Sequence, residues 1–303
     1  MISRYILIAL IAFSCESIDS SLGMGYGTLL TPILLFMGYQ PLEVVPLVLL
    51  SEFITGILSA IMHHKKGNVN LKIGSKAFKV ALVLAACSII GTISAAYLAL
   101  SVSKTIIKGY IAFLLLGIGI STYLSVNKKL SFSWAKIFFL GTIASFNKGL
   151  SGGGYGPLVT GGQVLAGLKS KNAVGITSLS EGLTCLIGVL SYFLLNSNHL
   201  NWYLGLALIS GAALSIPVAV NVVKILNEDS FRKVLSLSIL TLGLFTFFKT
   251  FHYLVVFKNL PLIIVSIIVT IPFAYKLGKK RNYGERKETV KETVKETVKE
   301  VIQ

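Results

Sequence analysis

Two apolar runs in this chain, residues 5–38 and 134–168, are too long to be single helices across a bilayer. At about 1.5 Å of rise per residue, roughly 20 apolar residues already span the hydrocarbon. Both runs are broken by glycine. The first break reads Gly23-Met24-Gly25-Tyr26-Gly27 and the second Gly152-Gly153-Gly154-Tyr155-Gly156. Glycine permits the tight turn that separates two half-helices. Irregular backbone at that depth must find its hydrogen bonds inside protein or along a water-filled cavity. A bland alternative is that the glycines only let helices pack closely.

The rest of the chain supplies single-length runs at 42–62, 77–101, 105–125, 173–195, 202–224, 232–250 and 254–276. With 54% hydrophobic and 13% charged residues, the composition is far from that of a soluble domain. An all-α polytopic membrane protein is therefore expected. Its formal charge of +16 comes largely from Lys and Arg in short loops and a tail, where such residues set topology. No nucleic-acid partner is expected. The N-terminal apolar run lacks a small-residue cleavage site and is read as part of the mature chain. Cys15, Cys87 and Cys185 all fall in apolar runs, which argues for buried thiols rather than a disulfide framework.

Laying the first break on the second fixes an offset of 129 residues. At that offset Thr31 meets Thr160 and Gly38 meets Gly167. SEFIT (Ser51, Glu52, Thr55) meets SEGLT (Ser180, Glu181, Thr184), and Asp19 meets Lys148. Two separate motifs agreeing on one offset mark a duplication. The expected divisions are 1–125 and 126–250 for the repeats, 251–276 for an extra membrane helix and 277–303 for a charged tail. Loop charges orient the halves. Lys65, Lys66, Lys72, Lys76 and Lys79 place the loop after His63 in the cytoplasm, as Lys128 and Lys129 do two crossings later. If 134–168 dips in and returns, Lys169, Lys171, Lys224, Arg232, Lys233 and the cluster from Lys276 to Arg281 also become cytoplasmic. The two halves then have opposite orientation. The expected architecture is two inverted repeats, each a re-entrant broken hairpin plus three transmembrane helices, with one further C-terminal helix. The expected location is the plasma membrane, with a cytoplasmic C-terminus.

Discontinuous helices at matching places in inverted halves point to a transport site. Few ionisable residues fall at depth: Glu16, Asp19, Glu52, Lys148 and Glu181. Intramembrane charges are functional candidates by default. Lys148, flanked by Asn147, either pairs with Asp19 or serves as counter-ion to an anionic substrate. New half-helices starting near Thr28 and Pro157 would offer N–H groups and a positive dipole end to an anion. The expected substrate site comprises Lys148, Asn147, Gly25, Tyr26, Gly27, Thr28, Gly153, Gly154, Tyr155 and Gly156, with hydroxyls from Thr31, Thr160, Ser51 and Ser180. Glu52, Glu181 and Asp19 are candidates for proton coupling. The competing role for each Glu is to cap backbone freed by the neighbouring break. His63 and His64 lie beside lysines at a membrane boundary, where a solvated face is expected. No metal-ligand spacing or cofactor motif is visible, no catalytic role is assigned, and an enzyme is not expected. GMGYGT resembles a potassium-channel filter, but the second copy lacks the threonine and follows a lysine. A channel, or a membrane subunit that binds without transporting, stands as the alternative.

The segments GMGYGTLLTPILLFMGYQPLEVV and GGGYGPLVTGGQVLAGLKSKNAVGITS resemble those of the TauE/SafE sulfite-exporter family, also called TSUP. Ala173, Val174, Gly175, Thr177 and Ser178 match the segment that follows the second break in that family; Met24 departs from the usual glycine. The resemblance spans roughly residues 5–250. It implies a carrier, often an exporter, of a sulfur-containing anion such as sulfite, a sulfonate or thiosulfate. Some thiosulfate-transporting relatives use cysteines, but neither Cys15 nor Cys185 sits in a motif that carries over. The expected partners are that anion, protons as coupling ion, the lipid bilayer and, as an open alternative, a second copy in a homodimer.

Overall fold

A computed structural model describes residues 2–99, 104–125, 128, 130–151, 155–195 and 201–250. The described residues form helices α1 (Ile2–Leu22), α2 (Tyr26–Phe36), α3 (Pro41–Lys65), α4 (Lys76–Ala99) and α5 (Lys104–Leu124). The order then recurs as α6 (Trp134–Ser151), α7 (Tyr155–Leu165), α8 (Ser170–Leu195), α9 (Trp202–Ile225) and α10 (Glu228–Thr250). Shifted by 129 residues, α2 coincides with α7 at both ends. The extra membrane helix expected at 254–276 and the tail lie outside the described residues, as do Gly153 and Gly154.

Among the described residues, five helical stretches are long and apolar enough to cross a membrane: Ser3–Leu22, Glu43–Lys65, Ser170–Leu190, Trp202–Ile225 and Glu228–Phe248. Their apolar side chains also cover the exterior. Leu214 is 70% exposed and Leu10 60%, which suits lipid and not water. Local signals set several ends. Pro41 stands in the first turn of α3, where its missing N–H is not needed. Gly38 and Gly167, with φ of 91° and 87°, follow α2 and α7 in the left-handed conformation that ends helices.

The two overlong runs are hairpins whose ends meet. The Ser133 N–H donates to the Ala166 carbonyl at 3.2 Å. In the first half the Arg4 guanidinium donates to the Met37 carbonyl at 2.9 Å and lies 4.5 Å from the Tyr39 ring centre. Each hairpin has one short arm, the 11 residues of α2 or α7, rising about 16 Å. That arm limits the depth of each break to about half of the hydrocarbon. The breaks also meet each other, with Thr160 Oγ1 donating to the Gly23 carbonyl at 2.9 Å.

Corresponding helices pack alike: α1 lies along α9 as α6 lies along α4. The partners α3 and α8 run antiparallel. Ser59 meets Ser178, a Cβ on Gly56 would meet Gly182, and Glu52 meets Cys185. Numbers fall along one helix as they rise along the other. The partners α5 and α10 do the same, with Gly119 against Leu240 and Gly243 against Leu116.

His63 departs from expectation. It is fully buried rather than solvated, because partners are built for both ring nitrogens. The Asn68 amide nitrogen lies 3.1 Å from the Val220 carbonyl and 3.0 Å from His63 Nδ1. It donates to both, so Nδ1 carries the lone pair and Nε2–H donates to the Ser20 carbonyl at 2.8 Å.

Candidate functional site

Two glycines build the first break. Gly23 has φ of 69° and Gly25 of 132°, both left-handed values that side chains rarely adopt. The chain then re-enters a helix at Tyr26. Its first free N–H groups are not left open: Tyr26 N–H donates to Asp19 Oδ1 at 3.2 Å and Gly27 N–H to Glu52 Oε1 at 2.9 Å. Carboxylates at a helix N-terminus satisfy orphan donors and the dipole together. Glu52 thus takes the capping role.

Around the second break the polarity reverses. Lys148, in the last turn of α6, points its ammonium at Glu181 Oε1 at 3.0 Å. The same nitrogen lies 3.5 Å from Cys185 Sγ and 5.1 Å from the Tyr155 ring centre. Both ends of the ion pair are 13% exposed. Cys185 also donates to Glu52 Oε2 at 3.3 Å. One connected set of contacts therefore runs from the N-terminus of α2 through Glu52, Cys185 and Lys148 to Glu181. It joins both halves at the level of the breaks.

Most residues singled out in the sequence lie in or beside this set. Tyr26 is buried with its hydroxyl 2.7 Å from Ser51 Oγ. Tyr155, its counterpart, is likewise buried. Gly156 packs so closely that a Cβ there would lie 2.6 Å from the Gly23 carbonyl oxygen. Thr160 bonds to Gly23 and, at 3.0 Å, to Thr177. Asn147 is buried beside Lys148. Asp19 and Lys148 do not pair: Asp19 serves the Tyr26 N–H and Lys148 takes Glu181. Thr28 is exposed and Thr31 half-buried, and neither is among the groups bonded around Lys148. Gly25 accepts the Leu29 N–H at 2.8 Å. The GYG stretch is therefore a helix start with inward-bonded carbonyls, unlike the extended filter of a potassium channel.

Two features went unread in the sequence. Cys185 occupies the space between Lys148 and Glu52, a place its i, i+4 spacing from Glu181 already implied. On α3, Ser51, Thr55, Ser59 and His63 recur every fourth residue, which lays one polar row along a buried helix.

In chemical terms the site holds one ammonium, two carboxylates from matched positions of the halves, a thiol and several hydroxyls. Of these, the ammonium, the thiol and the hydroxyls can donate hydrogen bonds to a guest, whereas the ionised carboxylates only accept them. Among the described residues no group of His, Cys, Asp and Glu is arranged to hold a metal ion.

The family model for sulfite exporter TauE/SafE matches residues 7–246. The probable membrane transporter protein YtnM of Bacillus subtilis (strain 168) is 29% identical over 235 residues, 71% of this chain and 73% of the relative. No solved structure matches the chain.

Proposed function

Because the chain belongs to the sulfite exporter TauE/SafE family, we propose that it is a secondary exporter of a small sulfur-containing anion such as sulfite, a sulfonate or thiosulfate. The anion binds at mid-membrane between two inverted repeats, residues 1–125 and 126–250. Antiparallel packing of α3 on α8 and of α5 on α10, and hairpins that close on themselves, support that architecture. The loop charges support a cytoplasmic C-terminus.

The observation that carries the reading is Lys148, largely shielded from solvent beside the second break with Glu181 against its ammonium. A buried cation must be answered by an anion. In this state the Glu181 carboxylate fills the place a substrate oxyanion takes, as Glu52 does at the N-terminus of α2. Substrate entry displaces Glu181 from Lys148. A carboxylate set free in a dry site is costly unless it takes up a proton, so anion entry becomes proton-linked through Glu181, with Glu52 and Asp19 as further candidates. Ser51, Ser180, Thr31 and Thr160 stand by as hydroxyl donors.

Alternating access is supported by an asymmetry between otherwise matched halves. Short helix α7 is clasped by α5 and α10, where Gly161 abuts Ile118 and Ile239. Its counterpart α2 rests chiefly on α1 and α3. One end-state of a rocking carrier has this form.

The test is flux of radiolabelled sulfite in liposomes holding the purified protein. Lys148→Ala is expected to remove it while Lys148→Arg retains part. Loss of one bond to a charged group, worth about 2 kcal/mol, corresponds to roughly thirtyfold. Normal flux in Lys148→Ala would take Lys148 out of the site. A thermal-shift screen with sulfite, sulfate, thiosulfate, taurine and sulfoacetate then ranks substrates, since a ligand of the folded state raises its stability.

A further inference from the structure

Glu16 is fully buried on α1, and among the described residues no cation pairs with it. Hydroxyls surround it instead. Ser20 Oγ lies 2.5 Å from Oε1 and Thr55 Oγ1 3.2 Å from Oε2. Ser20 Oγ is also 3.0 Å from Ser59 Oγ, which is 3.2 Å from Ser178 Oγ. Ser178 Oγ lies 3.1 Å from the Val174 carbonyl, and Thr55 Oγ1 2.9 Å from the Ser51 carbonyl.

Each hydroxyl owns one proton to donate, so the contacts around Glu16 can be made in two ways. In one, Ser178 donates to Ser59, Ser59 to Ser20, and both Ser20 and Thr55 to Glu16. The carboxyl then only accepts and is ionised. In the other, every hydroxyl turns round. Ser178 donates to Val174, Thr55 to Ser51, Ser20 to Ser59 and Ser59 to Ser178, while Glu16 donates its own proton to Ser20. The carboxyl is then the neutral acid. Both patterns satisfy the chain of hydroxyls with the heavy atoms in place. Val174 and Ser51 lose nothing essential in the first, since their carbonyls lie within helices.

We propose that Glu16 is a proton-binding site of this carrier, held in a chain of hydroxyls that re-forms around it with or without its proton. The step is simple. A hydronium ion of the solvent gives up a proton, one of its O–H bonds breaking as an O–H bond forms on the Glu16 carboxylate and water is left; the hydroxyls rotate, and release reverses these events. The acid belongs to the first half only, while Ser178 reaches it from the second. The matched positions in the second are Ser145 for Glu16, Gly149 for Ser20 and Gly188 for Ser59. Cys15, Asp19, Tyr26, Glu52 and Glu181 are the titratable groups whose charge reaches Glu16, and His63 approaches from α3 through the Ser20 carbonyl. The proposal deepens the transport reading and rests on it only for the use to which the proton is put.

Two measurements on the full-length protein separate the claims. In pH-difference infrared spectra the wild type should show a protonated-carboxyl C=O band that Glu16→Gln removes and Glu52→Gln leaves. Absence of such a band, or its persistence in Glu16→Gln, overturns the site whatever the substrate. Should Glu16→Gln not fold, Thr55→Val removes one of the two hydroxyls on the carboxyl and must move the band; an unmoved band has the same meaning. In liposomes Glu16→Gln should keep sulfite–sulfite exchange and lose proton-driven sulfite accumulation by roughly tenfold or more. Unchanged proton-driven accumulation overturns its coupling role. Failure of the wild type to move sulfite counts against the transport reading alone and leaves the infrared result standing.

Discussion

At Gly27 a missing side chain makes a charge contact. A Cβ there would sit 2.6 Å from Glu52 Oε1, inside the space the carboxylate needs to reach the Gly27 N–H. Gly27→Ala therefore forces the Glu52 side chain aside and leaves a helix-start donor unpaired. Because the obstacle is the end of a flexible side chain, the fold should survive, at a cost of about 1.5–3 kcal/mol for the charged hydrogen bond. Thermal unfolding in detergent measures it, and a variant as stable as the wild type would mean that the cap contributes nothing. Much of this residue-level chemistry was legible in the sequence. SEFIT and SEGLT at one offset announce matched carboxylates, and Lys148 stands out as a cation at depth. The partner of Lys148 was not legible. Asp19 and Glu181 are both acids near a break, and only the turn of α8 that faces α6 decides for Glu181.

Whole elements are held together at the crossing of the two breaks. Gly156 opens α7 directly on Gly23 and Met24, with backbone atoms 2.6 and 2.9 Å from where a Cβ would stand. Backbone cannot swing away as the Glu52 carboxylate can. Gly156→Ala should consequently cost about 1–3 kcal/mol through overpacking, and should lower the thermal midpoint without touching any charge of the site. A midpoint equal to that of the wild type would show that α7 and the first break are not in contact. The helices themselves were well marked, since broken apolar runs, a proline start and left-handed glycines each leave a signature. The polar row on α3 was overlooked for a physical reason. Ser, Thr and His scattered through an apolar helix disturb its overall hydropathy little, and their function depends on α1 and α8 bringing Glu16 and Ser178 to them.

For the molecule as a whole, the proposed transport function turns on the two hairpins entering from opposite faces. Loop lysines argue for this from charge, and the antiparallel run of α3 against α8 argues for it from packing; neither argument uses the other. If both hold, Ser3 and Gln40 share the external face while Ser131 and Lys169 share the cytoplasmic one. All four are exposed, whereas Cys15, Cys87 and Cys185 are buried and give no background. A membrane-impermeant maleimide applied to right-side-out vesicles should label Ser3→Cys and Gln40→Cys at once. Ser131→Cys and Lys169→Cys should react only after the membrane is opened. A hairpin whose two ends react from different sides would be a crossing, not a dip. Its break would then lack the shared mid-membrane position from which Lys148 and the α2 N-terminus can serve one anion.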